Sequence, residues 1–286
     1  MTETPEIITR FAPSPTGYLH QGHAYSARQA HDFAREHGGR FLLRIEDIDR
    51  GRCKPHFEQA IYEDLAWVGL TWEEPVRRQS DHMDDYARAL DVLHQKGLLY
   101  PCFCSRRDIR REIANSGRAP HDLSQHSPEG PLYPGACRGL TAEQTAANHG
   151  ADIPYALRLD MNKALEMVAG ETLTWTDLDA GEQTATPELL AGLLGDVVLA
   201  RKDIPTSYHL SVVVDDHLQG ISHVIRGQDL FHATHVHRLL QYLLGYDTPI
   251  YRHHGLLTDE NGDRYAKRHN SKTLKHMREH GEVLGF

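Results

Sequence analysis

Nowhere does the chain carry an apolar run approaching the roughly 20 residues of a membrane span. Its opening, Met1-Thr2-Glu3-Thr4-Pro5-Glu6, also lacks the basic and apolar regions of a signal peptide. A cytoplasmic protein without membrane contact is the expectation. Cysteine is scarce: four in 286 residues are too few for a disulfide framework, which leaves metal binding or reduced thiols. Positive charge is short as well. The formal net charge of −9 excludes a protein that coats nucleic acid non-specifically, although a local basic surface can act within an acidic whole. The charged and apolar fractions are those of an ordinary globular protein, and the length suffices for one large domain or two.

What is present is organised around Arg10-Phe11-Ala12-Pro13-Ser14-Pro15-Thr16-Gly17-Tyr18-Leu19-His20-Gln21-Gly22-His23. Ile7 to Phe11 is apolar and β-branched and predicts a short buried strand. Two prolines and Gly17 force a tight turn. Ala24, Ala27, Ala30, Phe33 and Ala34 then repeat at helical spacing up to Gly38-Gly39, a good C-terminal cap. A strand–turn–helix places His20 and His23 at a helix start, where free N–H groups and the helix dipole suit a phosphate. Gly22 lets a ligand lie against the backbone, and the two histidines could donate to charge developing on an α-phosphate. Taken alone, an H-x-x-H pair in a chain with 21 histidines could equally be two more turn histidines.

The fourteen residues as a set resemble the R-F-A-P-S-P-T-G-x-L-H-x-G-H signature of class I glutamyl- and glutaminyl-tRNA synthetases. Gln21 stands where the ATP-binding HIGH element usually has isoleucine. The resemblance implies an α/β fold: a Rossmann-type parallel-sheet nucleotide-binding domain with an inserted zinc-bearing subdomain and a short C-terminal helical segment. It implies ATP contacts from Pro13, His20, Gly22, His23, Asp229 and Lys267, with His20, His23 and Lys267 catalytic. It implies L-glutamate contacts from Arg10, Phe11, Ala12, Pro13, Ser14, Glu46, Tyr208 and Arg226.

Arg40 to Ile45 predicts a second strand, so strand, helix and strand form a βαβ unit of a parallel sheet. The acidic run Glu46-Asp47-Ile48-Asp49 follows at the strand's carboxyl end, where such sheets bind ligands. It is similar to the R-I-E-D-T-D stretch of the same synthetases, in which the residue at Glu46 meets the amino acid's α-amino group. Helices are expected from Pro55 to Val68 and from about Asp81 to Lys96, ended by Gly69 and Gly97, with Arg77-Arg78-Gln79-Ser80 read as a solvated loop. Cys53 stands apart and is read as structural.

Leu98 to Cys104 predicts a strand that sets Cys102 and Cys104 on one face. A short basic helix and a Gly/Pro/Ser/His-rich loop, Asn115 to Pro134, lead to Cys137, so three of the four cysteines fall within 36 residues. Closing such a loop is what a structural zinc ion does. Chemistry alone leaves the fourth ligand open among His121, His126 and Tyr133. The C-x-C…Y-x-x-x-C set of the family's short members implies Cys102, Cys104, Tyr133 and Cys137.

Further on, Ala156 to Leu159 and Asp196 to Ala200 predict strands, and Thr172 to Thr186 is polar and turn-rich. Tyr208 to Asp216 is ambiguous, because three valines favour a strand. Its likeness to the family's Y-x-L-A-x-V-V-D-D implies a helix. Ile221 to Arg226 predicts a strand and Leu230 to Leu244 an amphipathic helix. Tyr208 and Arg226 match the family's residues for the glutamate side chain: Arg offers a bidentate charged contact and Tyr a directional one. Arg264-Tyr265-Ala266-Lys267-Arg268 resembles the mobile KMSKS loop, with Arg264 for the first lysine and Ala266 for the serine.

The expected organisation is a first Rossmann half (1–100), an inserted zinc-bearing, acceptor-contacting subdomain (101–190), a second half (191–255) and a KMSKS-like loop with a C-terminal helix (256–286). No anticodon-binding domain is expected, since the chain ends 18 residues after Arg268. That resembles the short glutamyl-queuosine synthetase branch of the family. The resemblance implies ATP-dependent activation of L-glutamate as glutamyl-adenylate, with Mg²⁺ accompanying ATP. Transfer would be to the queuosine base at the anticodon wobble position of tRNA(Asp), by a monomer carrying one structural Zn²⁺. The rival readings are a glutamate-activating enzyme with another acceptor (a tRNA 3′ end or a carrier protein) and a non-catalytic zinc-bearing binding protein.

Overall fold

The computed structural model describes residues 6–115, 126–127, 130–257 and 272–285. Strand β1 (Ile8–Phe11) is buried along its length and leads through the Pro-rich turn to helix α1 (Gln21–Glu36). Ala24, Ala27, Ala30 and Ala34 are all fully buried on one face of α1. Without larger side chains there, the helix approaches β1 closely enough for the Thr9 hydroxyl to donate to the Ala30 carbonyl at 2.8 Å. Gly38 takes φ +65° to end the helix, and a Cβ on Gly39 would stand 2.2 Å from the Ile7 carbonyl oxygen. Strand β2 (Arg40–Ile45) therefore starts directly beside β1 and runs parallel to it, Ile8 opposite Arg40.

Helix α2 (Pro55–Trp67) begins with proline in its first turn and buries Ile61 and Leu65. Next come β3 (Glu73–Arg78), parallel to β2, and α3 (Met83–Gln95). The expected loop at Arg77–Ser80 is thus the end of a strand and a 3₁₀ turn, with Gln79 only 1% exposed. Its charges are paired, although the Arg78 side chain remains open to solvent. Arg77 pairs with Asp215 and Asp85, and Arg78 with Glu58.

The middle of the chain forms a separate antiparallel sheet. Strand β4 (Leu99–Cys102) leads to α4 (Arg106–Asn115), the two-residue pair β5 (His126–Ser127) and β6 (Gly130–Pro131), and α5 (Ala142–Gly150). Strand β7 (Ala156–Leu159) is central, between β4 and β10 (Val198–Ala200). Cys102 ends β4, so Cys104 lies past the strand and not in it.

Between β7 and β10 stand α6 (Met161–Met167), the hairpin of β8 (Thr174–Asp177) and β9 (Gly181–Thr184), and α7 (Pro187–Leu189), which continues in a π turn. The polar stretch read as turns is this hairpin. It buries Trp175 and Asp177, and β8 joins the parallel sheet beside β12. Residues expected in the insertion thus supply a strand of the second sheet.

Helix α8 (Tyr208–Leu218) resolves the ambiguous valine run. Leu210, Val212, Val213 and Val214 are all buried, so packing on every side overrides the strand preference of valine. Strand β11 (His223–Gly227), α9 (Ala233–Leu244) and β12 (Ile250–His254) follow, β11 parallel to β12, and α10 (Leu274–Glu279) closes the described chain. The backbone N–H of Ser222 donates to Ile8 at 3.0 Å, which places β11 next to β1. Across the molecule the order is β3-β2-β1, then β11-β12-β8. Strand order reverses between β1 and β11, and in doubly wound folds the ligand crevice opens at that point. Among the described residues no helix is long and apolar enough to cross a membrane.

Candidate active site

A cavity of about 640 Å³ opens where the carboxyl ends of β1, β2 and β11 meet the start of α1. Its walls include Arg10, Phe11, Ala12, Ser14, His20, Gly22, His23, Glu46, Tyr208, Arg226 and Asp229. Eleven residues singled out in the sequence therefore converge, from positions 10 to 229. Pro13 is buried behind the wall, where its carbonyl accepts the Glu46 backbone N–H at 3.0 Å. Lys267 lies outside the described residues. Tyr25, Ser26, Val212, Ile225, Gly227, Leu230, His254, Leu256 and Leu257 complete the wall and were not foreseen as site residues. No local motif marks them. His254 is one of 21 histidines, and its Nε2 reaches Ser26 Oγ at 3.0 Å only through the fold.

His20 precedes α1 with extended backbone, and its N–H donates to Nδ1 of His23 at 3.2 Å. A neutral His23 that accepts at Nδ1 carries its proton on Nε2. The two rings lie 3.7 Å apart, centroid to centroid, at the amino end of the helix. This end of the cavity offers donors and a positive dipole, the requirements of an anion.

The opposite wall rests on buried charge. Asp216 receives Arg10 through Nε and Nη2 at 3.0 and 3.2 Å, and Arg44 Nη1 at 2.8 Å. Arg44, fully enclosed, also donates to Glu46 Oε1 at 3.2 Å. Asp215 accepts from Arg77, Gln79 and Tyr86 at 2.8 to 3.1 Å. Burial pushes the Glu46 carboxyl above its ordinary pKa, and the attraction of Arg44 and Arg10 does not fully offset that.

Arg226 differs from these three arginines. It is 5% exposed, yet its partners are neutral: His253 Nε2 at 3.1 Å, Thr234 Oγ1 at 2.6 Å, the Leu230 carbonyl at 3.2 Å, and more distantly His237 Nδ1 and the Tyr208 hydroxyl at 3.4 and 3.5 Å. No carboxylate of the described residues pairs with it. Burial and then the Arg226 charge hold His237 well below an ordinary histidine, so it accepts as a neutral ring. Burial likewise keeps the Tyr208 phenol protonated. A buried guanidinium beside a cavity, solvated only by neutral acceptors, calls for an anionic ligand group.

A second cluster stands apart from the cavity. The sulfurs of Cys102, Cys104 and Cys137 lie within 4.8 Å of one another. None forms a disulfide, Cys104 Sγ and Cys137 Sγ being 3.3 Å apart. The Tyr133 hydroxyl is 3.6 Å from Cys104 Sγ and accepts the Cys137 N–H at 2.8 Å. Burial pushes the Cys104 thiol up to about 12. Burial acts on Cys137 too, but hydrogen bonds from Tyr133 and Cys104 outweigh it and hold that thiol below its ordinary value. The donor set is three clustered sulfurs and a phenol oxygen, which fits one tetrahedral metal ion. His121 and the side chain of His126 lie outside the described residues, and Cys53 forms no disulfide and is not part of the cluster.

Residues 6–283 match the family of class I tRNA synthetases (E and Q), catalytic domain. The chain belongs to this family and is an enzyme of the aminoacyl-tRNA synthetase, or ligase, class. It is 49% identical to the glutamyl-Q tRNA(Asp) synthetase of Rhodobacter capsulatus over 96% of both chains. It is 42% identical to the enzyme of the same name from Symbiobacterium thermophilum, over 96% of this chain and 82% of that one. The crystal structure of a glutamate tRNA ligase from Elizabethkingia meningosepticum, in complex with its amino acid, superposes with a TM-score of 0.73 at 28% identity. That match covers 92% of this chain and 52% of the ligase, so the chain spans about half the length of that enzyme.

Proposed function

We propose that the enzyme activates L-glutamate with ATP and transfers it to the queuosine base of tRNA(Asp). The observation that carries the amino-acid half is Arg226, a buried cation on the cavity wall without a carboxylate partner among the described residues. A γ-carboxylate completes it, with the Tyr208 hydroxyl beside it, while Glu46 receives the α-ammonium. Glutamate so held presents its α-carboxylate toward the His20–His23 end. That carboxylate attacks the α-phosphorus of ATP, a P–O bond forms, and pyrophosphate leaves. Donors from His20, His23 and the start of α1 stabilise the phosphate charge, and Mg²⁺ enters as the companion of ATP. Lys267, which the family resemblance gives to the ATP phosphates, is proposed to act with these donors. No side-chain nucleophile is required. Positioning and electrostatics do the work. A hydroxyl of the queuosine base then attacks the activated carbonyl, and AMP leaves.

The acceptor rests on the printed names of relatives at 49% and 42% identity. It is tested with queuosine-bearing tRNA(Asp) lacking its 3′-terminal adenosine and, separately, with intact unmodified transcript. The first accepts labelled glutamate and the second does not. The reverse result assigns transfer to the 3′ end and overturns the reading.

Glutamate use should depend on pH through Glu46. Only the ionised carboxylate pairs with an ammonium, and its pKa is raised by burial. As pH falls, Glu46 therefore protonates earlier than an ordinary carboxylate, and kcat/KM for glutamate declines while the KM for ATP holds. Glu46→Gln lowers kcat/KM at neutral pH and flattens that acid limb. An acid limb unchanged in the variant assigns it to another group.

We infer further that Cys102, Cys104, Tyr133 and Cys137 hold one zinc ion, which closes the excursion between β4 and α5 and takes no part in the chemistry. Metal analysis of protein purified without chelator should give about one zinc per chain. Cys137→Ser should lose it and lower the melting temperature. Pyrophosphate exchange should fall less than RNA glutamylation. Stoichiometric zinc in the variant would count against this ligand set.

A further inference from the structure

Arg10, Arg44 and Arg77 are each neutralised by a carboxylate of the chain, whereas Arg226 is held by groups that accept a hydrogen bond without adding charge. The way this is achieved can be traced. His253 on β12 lies between Arg226 on β11 and Asp177 on β8. Its Nδ1 is 2.7 Å from Asp177 Oδ2, and its Nε2 is 3.1 Å from Arg226 Nε. Asp177 is 1% exposed and can only accept, so the proton of a neutral His253 sits on Nδ1 and its Nε2 presents a lone pair to the guanidinium. The Asp177 oxygens also accept the backbone N–H groups of Asp179, Ala180 and His253, which fix the carboxylate in place. Burial, then the Arg226 charge, bring His253 down to about 4 against the pull of Asp177, so the contact is a neutral imidazole hydrogen bond and not an ion pair.

The arrangement has a consequence for selectivity. A carboxylate placed directly on Arg226 would fix its orientation but cancel its charge. An imidazole in between fixes the orientation and leaves the counter-charge to the ligand. A ligand carboxylate then gains a charged contact that its carboxamide analogue lacks.

We propose that Asp177 and His253 are positioning residues that set the preference for a side-chain carboxylate over the corresponding carboxamide, by orienting Arg226 through a neutral acceptor. The proposal rests on the reading that Arg226 binds the γ-carboxylate of glutamate.

The test is amino-acid-dependent pyrophosphate exchange with glutamate and glutamine, run on the full chain with Arg226→Ala as reference. His253→Leu removes the acceptor. His253→Gln retains an oxygen near the Nε2 position. Asp177→Asn frees the opposite tautomer, which would turn an N–H toward the guanidinium. His253→Leu and Asp177→Asn should raise the KM for glutamate about tenfold to a hundredfold and lower the glutamate-to-glutamine ratio of kcat/KM to match. The KM for ATP should stay within about twofold, and His253→Gln should recover most of the loss. These readouts separate positioning from general destabilisation, which would not spare ATP or be rescued by glutamine. A folded His253→Leu with unchanged glutamate KM overturns the proposal while Arg226→Ala still upholds the glutamate reading. An unaffected Arg226→Ala overturns both. Should His253→Leu fail to fold, nitrogen-15 NMR of the native protein decides: a ring protonated on Nδ1 alone upholds the arrangement, and one protonated on Nε2, or on both, overturns it.

Discussion

Replacing Arg226 by alanine is expected to raise the KM for glutamate in pyrophosphate exchange by about two to three orders of magnitude, with the KM for ATP little changed. Truncating one member of a buried, hydrogen-bonded charge pair costs about 2–5 kcal/mol, and each 1.4 kcal/mol is a factor of ten. Arg226 belongs at the upper part of that range for two reasons. The cavity contributes no other cation at this wall among the described residues except Arg10, and two donors of Arg10 are taken by Asp216. The groups left behind, His253, His237 and Thr234, would also lose their donor in a buried place. Binding the γ-carboxylate in the ground state and in the transition state alike predicts an effect on KM with kcat nearly preserved. A large fall in kcat at saturating glutamate, with KM unmoved, would place the side chain elsewhere.

The largest effect on stability is expected from Asp215→Ala. This carboxylate is fully enclosed and joins elements far apart in the chain: Arg77 near the end of β3, Gln79 just after it, Tyr86 on α3, and Arg44 on β2, whose Nε lies 3.6 Å from it. Removing it takes one of two carboxylates from Arg77 and one of three from Arg44, and it leaves Gln79 and Tyr86 without their acceptor. Breaking a buried ion pair from one side costs about 3–5 kcal/mol. Arg44 is the more exposed to this penalty in energetic terms. Burial works against its charge, and only Asp216, Asp215 and Glu46 outweigh it. Urea unfolding should show a lower midpoint with an unchanged slope. A loss below about 1 kcal/mol would mean that water enters the site and screens the charges as it does at a surface.

The two variants differ in what they disturb, although both remove one end of a buried charge contact. Asp215 faces only protein and acts on folding. Arg226 faces the cavity, so its counter-charge is proposed to arrive with the substrate. The same distinction separates Glu46 from Asp216: both meet Arg44, but Glu46 lines the cavity and Asp216 does not.

The sequence alone determined those features whose physical cause is local. The alanine stripe after His23 dictates a helix that can lie close against a strand, Gly38 and Gly39 end it, and the spacing of β1, α1 and β2 dictates a parallel unit with Arg10 to His23 and Glu46 at its carboxyl edge. Fourteen ordered residues carried the family resemblance, which the match over residues 6–283 bears out. Where meaning depends on a distant partner, local pattern was mute or misleading. Arg77 to Ser80 has the composition of a solvated loop and is a strand end and 3₁₀ turn tied to Asp215, which lies 138 residues along the chain from Arg77. Three valines argue for a strand in α8, and burial on every side makes it a helix. Asp177 in a polar stretch and His253 among 21 histidines carry no signal of their own. Only the tertiary structure brings them together, 76 residues apart, behind Arg226. The physical reason is one of range. Backbone propensity and hydrophobic period act over a few residues, whereas the state of a buried charge is set by whichever groups the fold places within hydrogen-bonding distance.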